Sequence, residues 1–212
     1  MNKRELLGRY VLLIAGLFFA GVGVAFTKHG ELGVSPISSV ANVMSCKFTM
    51  LSMGNWLIIW NCVLIVGQIV ILRRDFQLFQ LLQIPLSFLF GWFTDVGMWL
   101  VSFLPVPNYA MKLVMLFIGI FILAFGITLS FLANIIMNSG EAIVKAIADK
   151  SGMVFGNVKV LFDVTCVTIA VVLSLVFFDG KIVGTREGTV ISALCTGFVV
   201  KFFTKCIRRL KK

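Results

Sequence analysis

Charge is scarce in this sequence: 13% of its 212 residues are Asp, Glu, Lys or Arg, against about 25% in an ordinary soluble domain. Hydrophobic residues make up 59%, where about 45–50% is usual, and one soluble core cannot hide that much apolar surface. There is one histidine, which excludes an HExxH zinc site and a haem held by a His pair. A Walker loop and a Ser/His/Asp arrangement are also missing. No enzyme activity and no cofactor are therefore expected. The five cysteines (Cys46, Cys62, Cys166, Cys195, Cys206) are odd in number, lack C-x-x-C spacing and lie mostly in apolar runs. They read as small packing residues with no disulfide framework and no metal site.

What the chain has instead is apolar length. Mean hydropathy is +1.04, spread over six long apolar runs at about 10–27, 55–72, 78–103, 113–136, 157–178 and 188–204. Each is near the roughly 20 residues a helix needs to cross a bilayer, so the sequence predicts an all-α, polytopic membrane protein forming a single transmembrane domain over 1–212. The start, Met1 to Arg9 followed by apolar Tyr10 to Phe26, imitates a signal peptide. Thr27-Lys28-His29 follows without a small-x-small cleavage site, so a retained first helix is expected.

The net charge of +10 could mark a nucleic-acid partner, but the basic residues sit at the ends of apolar runs, where the positive-inside rule puts them. No nucleic-acid partner is expected. Six spans leave Lys3, Arg4, Arg9, Arg73, Arg74, Lys145, Lys150 and the basic residues from Lys201 onward on one side, against Lys28, Lys47, Lys112, Lys181 and Arg186 on the other. This asymmetry predicts that both termini are cytoplasmic.

The chain also resembles itself. Gly54-Asn55-Trp56-Leu57 through Asn61 aligns without a gap on Gly156-Asn157-Val158-Lys159 through Asp163. Ser35-Pro36 corresponds to Ser139-Gly140, and Phe19-Ala20-Gly21-Val22-Gly23 to Leu123-Ala124-Phe125-Gly126-Ile127. Each half reads span, short helix, span, span, with repeat 1 at about 10–104 and repeat 2 at about 113–204. Three crossings per half would insert the second half upside down, giving two inverted three-helix repeats as in many transporters.

Four motifs carry a family likeness: Gly33-Val34-Ser35-Pro36, the Gly-Asn pairs at 54–55 and 156–157, Gln83-Ile84-Pro85, and Arg186-Glu187-Gly188-Thr189. In these the chain resembles the YczE/YyaS/YitT group of bacterial integral membrane proteins, most closely its YczE-like branch. The resemblance implies a bacterial plasma (inner) membrane protein of about this length. It brings no substrate, reaction or catalytic residue.

Because a charge at the bilayer centre costs about 2.5–3.5 kcal/mol on insertion scales, polar residues inside the spans are the functional pointers. Lys159 and Asp163 are four apart on one helix face and can pair, either as a solute or proton site or merely to neutralise each other. Asp163 aligns with Asn61, so both would meet near mid-membrane, where inverted-repeat carriers hold solute. Asn55 and Asn157 are expected to cap their helices. Gln83 can satisfy the backbone carbonyl that Pro85 frees, and the two are expected to serve helix packing. His29 reads as solvated at an interface.

The two segments between spans, 35–48 and 139–150, are too short to cross and read as interfacial or re-entrant helices. Glu141, Lys145 and Asp149 form a stripe that suits a surface helix; a re-entrant placement would aim Ser139-Gly140-Glu141 at a central cavity. The surface placement is preferred for this segment, and the re-entrant one for the first, which carries Ser38, Ser39 and Asn42 in place of charges. Asp95 and Arg186 are secondary candidates, able to meet if the last loop folds inward.

The resulting expectation is a small-solute membrane transporter whose polar cavity between the halves uses Asn61, Lys159, Asp163, Ser38, Glu141, Asp95 and Arg186. Its partners would be the lipid bilayer, the solute and either a second copy or another membrane protein. The competing expectation is a non-transporting accessory or regulatory protein.

Overall fold

The computed structural model describes residues 3–210, and every regular element there is helical. The long helices are α1 (Lys3–His29), α3 (Met53–Leu72), α4 (Gln83–Val101), α5 (Tyr109–Ala133), α7 (Phe155–Phe177) and α8 (Glu187–Leu210); α2 (Pro36–Lys47) and α6 (Ser139–Ser151) are short. Six helices are long and apolar enough to cross a membrane, so the chain is a multi-pass membrane protein in architecture. Where α1 begins, α8 ends; this end of the bundle is called the terminal face, and the other the loop face.

Two antiparallel helices, α1 and α5, form the spine. They approach closely because glycines meet at the crossing: a Cβ on Gly16 would lie 2.8 Å from the Gly126 carbonyl oxygen, and one on Gly119 2.9 Å from that of Gly23. Small residues permit such contact, and in lipid, where burial of oil against oil gives no driving force, the resulting van der Waals packing is what holds helices together. Leu17, Ala20, Val24 and Leu123 continue the seam and join Leu57 and Phe90 in the largest apolar cluster. Helix α4 lies against α1, α3 against α4, and α8 against α5.

The short helices cross over. Helix α2 packs mainly on α7, and α6 mainly on α3, so each half sends its short helix to the second span of the other half. Neither lies on the outside of the bundle. Pro36, Ser38 and Ser39 in the first turn of α2 are buried, as are Ser139, Gly140 and Glu141 in the first turn of α6. The two starts touch, since a Cβ on Gly140 would meet the Ile37 side chain at 2.7 Å.

Two expectations are corrected. The surface placement preferred for 139–150 fails in its first turn, because Ser139 is held by Ser87 and Gln68 and is fully buried; exposed are Lys145 at mid-helix and Asp149, Lys150 and Ser151 at the far end. The third span runs from Leu78 to Val101 as the apolar pattern predicts, with Leu78–Leu82 as a 3-10 turn at its start. Pro85 thus falls in the first turn of α4, where its missing N–H breaks nothing. Neither Asn55 nor Asn157 caps: Ser52 caps α3 by accepting from the Asn55 N–H at 3.1 Å, and α7 starts after Val154 without a side-chain cap.

Candidate functional site

Lys159 and Asp163 sit one turn apart on α7 and form an ion pair through Asp163 Oδ1. Both are largely shielded, at 28% and 16% side-chain exposure. Glu141, one turn into α6, is 9% exposed and makes no ion pair among the described residues. It nevertheless lies within the field of Lys159 and Asp163. Burial pushes the Glu141 carboxyl above its ordinary range, opposed by the Lys159 ammonium. Two acids and one base thus lie within electrostatic reach of one another across α6 and α7, one positive charge short when all are ionised.

Asn61 is buried at mid-length in α3 (3% exposed), and its amide Nδ2 has no partner among the described residues. It makes no hydrogen bond to Asp163, so the meeting expected from their alignment is not formed as a contact. Ser38 is buried at 5% exposure and its Oγ accepts from Ser35 at 3.0 Å. Beside it, Ser39 Oγ donates to the Pro36 carbonyl at 2.6 Å and lies 3.5 Å from that of Cys166, halfway along α7.

Asp95 and Arg186 do not meet. Asp95 accepts hydrogen bonds from Ser52 Oγ and, at 2.8 Å, from the Gly54 N–H, fastening α4 to the first turn of α3. A carboxylate there complements the positive helix start. Arg186 instead pairs with adjacent Glu187 at 3.3 Å. His29, rather than being merely solvated, contacts the Leu104 carbonyl at 2.8 Å through Nε2.

Two groups of polar residues are brought together only by the fold. Gln68, Gln83, Ser87 and Ser139 form one buried network joining α3, α4 and α6. Two glutamines inside apolar runs were the available signal; their partnership needed the fold. The second group consists of hydroxyls at Thr185, just before α8, and at Thr189, Ser192 and Thr196 along it, recurring every three or four residues.

Two clefts open near opposite faces. At the terminal face, about 490 Å3 is lined by Asp75, Gln80, Gln83, Asn134, Lys145 and Asp149, among others. At the loop face, about 510 Å3 is lined by Lys28, Glu31, Gly33, Asn42, Gly184 and Arg186, among others. No group of His, Cys, Asp and Glu among the described residues could hold a metal ion, and the five cysteines are free.

A family model described as a family of unknown function (DUF6198) matches residues 7–205, and the chain belongs to that family. No curated protein and no solved structure matches it.

Proposed function

Starting from that membership, which brings no activity with it, we propose that the protein is a carrier of a small solute, built as two inverted repeats. The observation that carries this reading is the pair of clefts of nearly equal volume near opposite faces, with the first turns of α2 and α6 meeting between them. The clefts are built alike: each uses the end of a spine helix, one flank of a short helix and the connection between the last two helices of the other half. An alternating-access carrier needs two such routes and a barrier between them.

The exchange of short helices between halves and the paired glycines of the spine support the repeat. Gly16 and Gly23 stand seven apart in α1, as Gly119 and Gly126 do in α5, and each meets a member of the other pair across the antiparallel crossing. On this reading the solute site is the Glu141–Lys159–Asp163 cluster with the buried Asn61 and Ser38 as further polar groups, none of which lines either cleft, whereas Asp95 fastens helices and Arg186 lines the loop-face cleft. The excess of Lys and Arg puts the terminal face in the cytoplasm of a bacterial plasma membrane. The motif likeness puts the chain nearest the YczE-like branch.

A carrier of this kind binds its solute in detergent, so a screen of amino acids, sugars, nucleobases, organic anions and inorganic ions should raise the melting temperature of wild type. The shift should vanish in Asp163→Asn and Lys159→Ala, as should uptake of the same compound into liposomes. Uptake retained in both variants would sink the role given to this pair. The accessory-protein reading draws on one observation, the exposed apolar face of α8 at Val190, Leu194, Phe198 and Phe202. It predicts a partner copurifying at fixed stoichiometry and no solute-dependent shift.

A further inference from the structure

The loop-face cleft holds a cation that has no counter-charge of its own. Lys28, one residue before the end of α1, is half-buried and lines the cleft, yet makes no ion pair among the described residues. Its ammonium donates to the Ser45 hydroxyl near the end of α2. That hydroxyl donates in turn to the Asn42 carbonyl at 2.8 Å, so it meets Lys28 with its lone pairs. One neutral acceptor is thus fixed beside an ammonium that has three donors to satisfy.

The carboxylates that line the cleft or reach Lys28 are engaged elsewhere. Glu31 lines the cleft and is held by Lys112, while Arg186, also in the lining, is held by Glu187. Asp95 lies within the field of Lys28, but it accepts from Ser52 Oγ and the Gly54 N–H and stands outside the lining. His29 has its Nε2 on the Leu104 carbonyl. The cleft therefore carries one positive charge beyond those its own ion pairs cancel, and a charge withdrawn from water is stabilised by acquiring a partner.

The remaining lining selects the kind of anion. Met98 of α4 and Ile182 and Val183 of the loop before α8 line the same cleft. A hydrated inorganic anion would exchange its water for these apolar groups at a loss. A carboxylate with a short hydrocarbon tail instead sets its charge at Lys28 and its tail along Met98, Ile182 and Val183, where burial is favourable. A single surplus charge matches a monoanion, since a second negative charge would require Arg186 to leave Glu187. The volume of about 510 Å3 falls within the range of about 300–1,000 Å3 usual for small-molecule sites. We propose that Lys28 anchors a binding site for a small aliphatic monocarboxylate in the loop-face cleft. The Glu141–Lys159–Asp163 cluster lines neither cleft, so occupancy of this site does not rest on the carrier reading.

The experiment is thermal unfolding of the purified full chain with sodium butyrate, compared with butyramide, sodium chloride and sodium phosphate at matched ionic strength. Butyramide keeps the shape of the ligand and removes its charge. At about tenfold excess over its dissociation constant, butyrate should raise the melting temperature of wild type by about 4 °C, and the other three should not. Lys28→Met, which keeps the reach of the side chain without its charge, should lose that shift, and Lys28→Arg should keep most of it. Lys47→Gln removes a cation bonded to the Phe177 carbonyl outside the cleft and should respond as wild type.

Asp163→Asn should also respond as wild type. A butyrate shift lost in Asp163→Asn but kept in Lys28→Met overturns this site and favours the solute cluster instead. Cys46 gives a second reading that needs no substitution, because it lines the same cleft and lies within the field of Lys28. At the same excess, butyrate should slow alkylation of Cys46 in wild type by about tenfold, followed by peptide mass spectrometry, and leave Cys206 unaffected. No butyrate shift in wild type, an equal shift in Lys28→Met, or unprotected Cys46 overturns the site; an equal shift with chloride or phosphate overturns the carboxylate assignment.

Discussion

Gln68 of α3 and Gln83 of α4 exchange amides, each Nε2 donating to the other's Oε1 at 3.1 Å. Gln68 Nε2 also reaches the Ser139 carbonyl at 3.2 Å, and the Ser87 and Ser139 hydroxyls lie 3.3 Å apart. The start of α6 is thereby tied to two spans by bonds that have no competitor in lipid. A segment whose charged stripe suits a surface is drawn inward at its first turn.

Removing both members of the pair should cost less than the sum of removing each alone. Gln68→Leu strands the Gln83 amide and Gln83→Leu strands that of Gln68, each costing about 1–3 kcal/mol. The double Leu variant should recover part of the sum, read as a coupling energy from unfolding in mixed micelles. Simple additivity would mean that the amides do not act as a pair.

At the spine the decisive quantity is interhelical distance. Gly126→Val should be strongly damaging, because a Cβ there would sit 2.5 Å from the Gly16 carbonyl oxygen and 2.9 Å from the Ala20 Cα. Neither contact can be relieved by a side-chain rotation. Gly156→Val, where a Cβ meets nothing within 4 Å, is the control and should express and melt as wild type.

Glu141 gives the stability a pH dependence of defined sign. Its folded carboxyl titrates above the 4.5 of the free group, so between those two values the folded state holds a proton that the unfolded state has released. Its contribution is most favourable below 4.5 and declines as pH rises through the folded value. Melting temperature should fall over that window in wild type and be flatter in Glu141→Gln. Glu31 has the opposite sign: its bond to Lys112 holds the carboxyl below the usual range, and that small, exposed contribution is lost as the pH falls.

Asp95 should behave as a fastener. Asp95→Ala leaves the Gly54 N–H and Ser52 hydroxyl without their shared acceptor and should cost about 1–2 kcal/mol. Asp95→Asn should recover part of the stability through its remaining carbonyl oxygen. Solute binding should be unchanged in both once the proteins are compared below their melting points.

Topology can be read with single cysteines in a background lacking the native five. Met50, 95% exposed after α2, and exposed Lys150 at the far end of α6 should react with an impermeant maleimide from opposite sides of the membrane. Labelling of both from one side would overturn the inverted arrangement.

Composition and hydropathy alone determined that this is an all-helical chain with six spans, because in a bilayer every backbone amide must be satisfied within its own helix and apolar length is a local property. The i,i+4 spacing likewise made the Lys159–Asp163 pair legible, since both partners share one helix. What the sequence could not settle depended on contacts across the chain. The partners of Gln68 lie in α4 and α6, Asp95 closes on α3 rather than Arg186, and the hydroxyls of Thr185, just before α8, and of Thr189, Ser192 and Thr196 within it are unusual only because no polar partner meets them. Tertiary packing decided these, for a polar group in an apolar run reveals its need for a partner, while only the fold determines which partner it finds.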